Sequence, residues 1–162
     1  MSLFLFKRKD GKMLKEGDKI PNFTARCTDG TVLNSEEFKG KWTILFFYPK
    51  AFTPGCTKEV CNLRDGFQIL SKFDVNVYGI SKDNLETQMK FKKRYGLPYE
   101  LIADQDGKII KSFGVSGLFG FAKRVTFIVD PEGKIAKIID KVRVSEHYAQ
   151  IVEFLENILN QK

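Results

Sequence analysis

Apolar positions along the chain follow two rhythms, and each change of rhythm marks an element. The run WTILFFYP, residues 42 to 49, is apolar at nearly every position and closes on Pro49, as a strand buried on both faces does. From Cys56 the spacing turns helical. Cys56, Val60, Leu63, Phe67 and Leu70 predict an amphipathic helix of about 17 residues. Val75 to Ile80 is again apolar and β-rich, which completes a strand–helix–strand unit. Asp83 and Glu86 have the spacing of a capping box for a second helix that stops near Gly96. The short strand ELIA follows, then a brief helix around Lys108 to Phe113. RVTFIVD and KIAKIID flank Pro131-Glu132-Gly133 and form the strongest hairpin signal in the chain. NFTARCTDGTVLNS alternates about Asp29-Gly30 as a second hairpin near the N-terminus. A last helix opens at Ser145 and turns Tyr148, Ile151, Val152, Leu155, Ile158 and Leu159 inward.

The order hairpin, βαβ, αβ, hairpin, helix predicts an α/β fold of thioredoxin-like type, a mixed central sheet with helices on both faces. There is no internal repeat or composition break, so residues 1–162 read as a single domain. The polar N-terminal segment, to about Glu16 and above all its first 13 residues, is expected to be loosely held. A hydrophobic content of 43% and a charged content of 29% are those of a globular protein. No run approaches the roughly 18 apolar residues of a membrane span. The apolar patch in MSLFLFKRKDGK is too short for a signal peptide, so a cytoplasmic location and no membrane partner are expected. The net charge of +7 would suit an anionic partner. Its lysines and arginines are dispersed, however, and Lys90, Lys92, Lys93 and Arg94 fall on a predicted helix, where a solvated face explains them without nucleic acid.

Three cysteines without an export signal argue against a structural disulfide framework and for reactive or buried thiols. Pro54 and Gly55 break the extended chain so that Cys56 falls in the first helical turn. Unpaired N–H groups and the positive end of the helix dipole favour an anion there, and a thiolate is one. Thr53 adds a hydroxyl at the same spot. The plainer reading of Cys56 is a small buried hydrophobe. The turn, the dipole and the second thiol at Cys61 favour reactivity. On a regular helix, residues five apart are rotated by about 140° and their Cα atoms lie roughly 8–9 Å apart, beyond a disulfide's reach. A Cys56–Cys61 bridge therefore requires local unwinding, and Cys61 reads equally well as a half-buried helix residue. A zinc site lacks partners, since Cys27 and His147 are both remote in sequence. Cys27 is expected to pack in the first hairpin, and His147 to lie on the surface in the first turn of the last helix. Asp104-Gln105-Asp106-Gly107 has no Glu at the twelfth position of a calcium loop, where Val115 stands, and reads as a turn.

Pro49-Lys50-Ala51-Phe52-Thr53-Pro54-Gly55-Cys56 resembles the P-x-x-x-T-x-x-C signature of peroxiredoxins. Its extension to Cys61 resembles the bacterioferritin comigratory protein (PrxQ) branch, whose second cysteine lies five residues on. The likeness continues through YGLPYELIADQDGKIIKSFGV and Arg124 to Asp130, and runs from about Leu14 to the C-terminus. It implies that Cys56 is the peroxidatic cysteine and Cys61 the resolving one. It also implies that Thr53 hydrogen-bonds the peroxide, Pro49 shields the thiolate, Arg124 stabilises it, and Glu59 orients Arg124. The segment from Val115 to Lys123 is shorter than in many relatives, which bears on substrate preference.

The activity implied is a thiol peroxidase acting on hydrogen peroxide and organic hydroperoxides, recycled by a thioredoxin-type dithiol, with no cofactor or metal and as a monomer. Two other classes compete. A general thiol–disulfide oxidoreductase would carry C-x-x-C at the helix start, whereas Thr57-Lys58-Glu59 follow Cys56 here. A basic binding protein would be indifferent to loss of the Cys56 thiol.

Overall fold

A computed structural model describes residues 12–159. Its centre is a seven-stranded mixed sheet. The strands in chain order are β1 (Thr24–Cys27), β2 (Val32–Asn34), β3 (Thr43–Phe47), β4 (Asn76–Ser81), β5 (Glu100–Ala103), β6 (Val125–Val129) and β7 (Ile135–Ile139). In space they run β2-β1-β5-β4-β3-β6-β7. β3, β4 and β5 are parallel neighbours joined by helical crossovers, and the two hairpins extend the sheet antiparallel at either end. Both predicted hairpins and the strand–helix–strand unit are present.

Strand alternation divides the core in two. Leu45, Phe47, Ile80, Ile102 and Phe127 face one side, with Phe38, Ile110 and Phe113 packed over them. Ile44, Phe46, Val77, Leu101 and Ile128 face the other, under Val60, Leu63, Phe91, Ile151 and Leu155. Because β3 supplies both layers, every residue from Thr43 to Phe47 is buried, which explains its continuous apolar run. The helices are α1 (Pro54–Asp65), α2 (Phe67–Ser71), α3 (Leu85–Tyr95), α4 (Lys108–Ser112) and α5 (His147–Leu159). α1, α2, α3 and α5 cover the second layer and α4 the first, so both faces are covered as expected.

Four local expectations are corrected. The helix after Cys56 is interrupted at Gly66, whose backbone leaves helical dihedrals and where the ring of Tyr148 on α5 packs so closely that a Cβ would lie 2.3 Å from it. The second helix is capped by Asn84, whose side chain accepts from Thr87 N, and Asp83 is drawn away to bond the loop before α1. The last helix begins at His147 rather than Ser145, and Ile158 stays about one-third exposed (36%) near its end instead of being buried. The N-terminal segment is tied down from Leu14, which is buried and whose N–H donates to the Phe113 carbonyl. Residues 1–11 lie outside those described. Asp104 to Gly107 forms the expected turn, and the buried Asp104 carboxylate accepts from Ile109 N and Ile110 N to start α4.

Candidate active site

The site is assembled where β3 leaves the sheet. Pro49 ends the strand half-buried. Phe52 follows with φ 67, a left-handed backbone that a bulky residue adopts only when its surroundings hold it. Its ring lies 5.0 Å from that of Phe91, and Asp83 accepts from Ala51 N at 2.8 Å while holding Ser81 Oγ at 2.6 Å. Those contacts fix the sharp turn that lets Thr53 serve as N-cap and Pro54 as first residue of α1. Thr53 Oγ1 donates to the Lys50 carbonyl at 2.7 Å and makes no capping bond. Its hydrogen is committed, and its oxygen remains an acceptor.

Cys56 lies in the first turn of α1 and is fully buried among Tyr48, Ala51 and Val60. Arg124, placed just before β6, reaches back across the turn. A methyl group on Gly55 would lie 3.1 Å from its Nη2, so the missing side chain at Gly55 leaves the guanidinium room to approach. The Arg124 guanidinium lies close enough to Cys56 for the two to interact electrostatically, and its Nη1 donates to Glu59 Oε1 at 2.6 Å. Burial opposes the charge on Arg124, but Glu59 and Cys56 outweigh it and hold its pKa above the ordinary value. Glu59 is fully buried, and desolvation, opposed by Arg124, pushes its pKa up to about 7. Cys56, Glu59 and Arg124 are thus brought together at the start of α1, just after the turn that carries Pro49 and Thr53.

Cys61 is five residues along the same helix and half-buried. All three cysteines are free. The helix is regular across both positions, so the separation of roughly 8–9 Å expected between their Cα atoms stands. Cys27 closes β1, buried in the other core layer, with desolvation and then Asp29 pushing its pKa up to about 12. It packs as expected. Among the described residues, no group of three or more His, Cys, Asp or Glu side chains is arranged to hold a metal ion.

The AhpC/TSA family model matches residues 16–138. The chain is 36% identical to the peroxiredoxin Bcp of Escherichia coli over 150 residues, covering 88% of this chain and 96% of that one. It is 35% identical to the peroxiredoxin Bcp of Bacillus subtilis over 149 residues, covering 88% and 95%. The solved structure of the peroxidoxin BcpB of Mycobacterium tuberculosis is 32% identical, with a TM-score of 0.82 over 90% of this chain and 98% of that one. The chain belongs to the AhpC/TSA family, in its Bcp peroxiredoxin branch. Its fold is thioredoxin-like, as the order of elements predicts.

One position in this peroxiredoxin departs from the sequence reading. His147 is not on the surface: it is fully buried, with Nδ1 3.1 Å from Glu59 Oε2 and Nε2 2.7 Å from Thr126 Oγ1. Its side chain enters between α1 and β6 because Asn62 clamps the start of α5, donating to the Ser145 carbonyl and accepting from Tyr148 N, each at 2.9 Å. Apolar spacing along α5 carries no trace of this. A polar residue at a helix start reads as exposed unless its partners, 88 and 21 positions earlier, are known to fold against it.

Proposed function

We propose that this peroxiredoxin is a thiol-dependent peroxidase in which Cys56 is the nucleophile. What carries the proposal is the placing of Arg124, anchored by a wholly buried Glu59, beside the buried Cys56 side chain. Attack by the Cys56 thiolate on one peroxide oxygen forms an S–O bond and breaks the O–O bond. The other oxygen departs as an alkoxide or hydroxide and takes up a proton. Arg124 and the free N–H groups of the first turn of α1 are fixed donors for the charge that develops. The Thr53 oxygen receives a hydrogen bond from the peroxide O–H, and Pro49 keeps water off the sulfur. The product is a sulfenic acid.

Cys61 then attacks the oxidised sulfur and water leaves, giving a disulfide that a thioredoxin-type dithiol reduces by exchange. Since both cysteines lie on one helix, the cycle closes within a single chain, and a monomer suffices. Hydrogen peroxide and organic hydroperoxides share the bond that is broken and both fit this chemistry. A cycle that ends in reduction by a thioredoxin-type dithiol suits a reducing compartment, and we place the protein in the cytoplasm.

The deciding experiment follows peroxide consumption with a thioredoxin system. Cys56→Ser is expected to abolish turnover, and unchanged turnover would end the reading. Cys61→Ser is expected to consume one equivalent of peroxide in a single turnover and then to lose dithiol-driven recycling. Recycling that persists would assign resolution to Cys27, to a second chain or to direct reduction of the sulfenate.

A further inference from the structure

We propose that His147 is a positioning residue for this site, donating its Nδ1–H to Glu59 Oε2 so that Oε1 stays a carboxylate oxygen anchoring Arg124 beside Cys56. The inference rests on Cys56 being the nucleophile. It extends the site by two side chains, His147 and Thr126, that lie beyond the residues of the signature.

Geometry carries the argument. Glu59 Oε2 and His147 Nδ1 are both buried, 3.1 Å apart, and neither has a regular hydrogen-bond partner. Two orphaned polar atoms this close are both satisfied by one shared proton, and leaving either bare carries its full desolvation cost. The other imidazole nitrogen is engaged by Thr126 Oγ1, and the ring stands edge-on to Phe46 at 5.7 Å. Asn62 grips residues on both sides of His147 and sits three positions after Glu59 on α1. Acid and imidazole are therefore held in register by the same helix.

Every charged or titratable group shown acting on this pair is accounted for. Arg124 approaches from the turn before β6, Cys56 lies behind Arg124 on α1, and the buried Tyr99 stands just ahead of β5. Burial and then Arg124 disfavour an imidazolium, as does the positive N-terminal end of α5. Histidine is thus neutral in both states of the pair. With Glu59 ionised, Nδ1 carries the ring proton and Thr126 donates to Nε2. With one proton taken up from solvent, Glu59 Oε2–H donates to Nδ1, the ring proton resides on Nε2, and Thr126 accepts. In the second state Arg124 faces a neutral acid and its anchor is weaker.

Two measurements test this on the full-length chain. The first is the rate constant for peroxide with Cys56 as a function of pH. His147→Leu removes the donor, and His147→Asn keeps an N–H near the Nδ1 position. The acid limb of the Leu variant is expected to move up by about one pH unit or more, because a bare Glu59 holds its proton more tightly. Asn is expected to restore most of the wild-type profile. A Leu profile that matches wild type, or an Asn profile that matches Leu, overturns the proposal. The second needs no activity and no variant. The chain has one histidine, so its nitrogen-15 spectrum shows a single imidazole. Above about pH 8 the Nδ1–H tautomer is expected; an Nε2–H tautomer or an imidazolium that titrates normally overturns the proposal even if His147→Leu does not fold. Retained turnover in Cys56→Ser would instead defeat the peroxidase reading and leave the tautomer result standing.

Discussion

The guanidinium of Arg124 is the group on which chemistry at Cys56 most depends, because it is the cation that meets both the sulfur and the buried carboxylate. Replacing one fixed donor at a developing oxyanion costs about 10²–10³ in rate. Arg124→Met is accordingly expected to slow oxidation of Cys56 by that factor in a stopped-flow measurement while leaving the fold intact. Gly55→Ala is the gentler probe. Its new methyl group would lie 3.1 Å from Arg124 Nη2 and push the guanidinium by a few tenths of an ångström. The same rate constant is expected to fall, but within about tenfold; a variant as slow as Arg124→Met would show that the backbone of the turn had moved instead. Cys56, Thr53 and Pro49 were legible because strand end, turn and helix start follow one another in sequence. Arg124 lies far along the chain and was reachable only through resemblance. His147 was misread, because a polar residue at a helix start gives no sign of the partners that bury it.

Helix α1 must be firm enough to hold Cys56 and yet open if Cys61 is to reach it. Its far half is the pinned half. The Tyr99 hydroxyl donates to the Val60 carbonyl at 2.8 Å, Arg64 Nη1 donates to the Tyr95 carbonyl at 2.7 Å, and Asn62 binds the start of α5 twice. Tyr99→Phe removes one of these bonds, worth about 1 kcal/mol, and so raises the open population about fivefold. Disulfide closure after a single peroxide turnover is expected to accelerate by that factor, with sulfenate formation unchanged. Closure at the wild-type rate would mean that opening of this half is not the slow step. The predicted 17-residue helix is divided at Gly66, where this end of α1 packs against α5. Apolar spacing continues through Phe67 and Leu70, but Tyr148 occupies the space a side chain at position 66 would need. Periodicity reports which residues face the core, and it does not report where the backbone leaves the helix. Gly66→Ala is expected to lower stability by about 1–3 kcal/mol in urea denaturation.

At the scale of the whole molecule, sequence order revealed the layers and both hairpins, because each depends on neighbours in the chain. It did not reveal that β1 pairs antiparallel with β5, a contact between distant segments that encloses Cys27. Nor did it reveal that the second layer contains an ionisable pair, which makes global stability depend on pH in two opposing ways. Glu59 is raised by burial from 4.5 to about 7, so its contribution is present below its unfolded value and is lost as pH climbs through 7. His147 is lowered, by burial and then Arg124, from 6.5 to about 3, so its contribution is present above 6.5 and is lost as pH falls through 3. Each slope approaches ~1.4 kcal/mol per pH unit. Where the windows overlap, from 4.5 to 6.5, the slopes have opposite sign and offset each other. Wild-type stability is therefore expected to vary little there on account of this pair. Glu59→Gln should expose the histidine slope, with stability rising from about pH 3 to 6.5. His147→Asn should expose the carboxyl slope, with stability falling between about pH 4.5 and 7. Unfolding free energies from urea titrations at a series of pH values separate the two. Slopes of the same sign in both variants would show that the buried proton is not shared between these side chains, and that some other group governs the acid response of the fold.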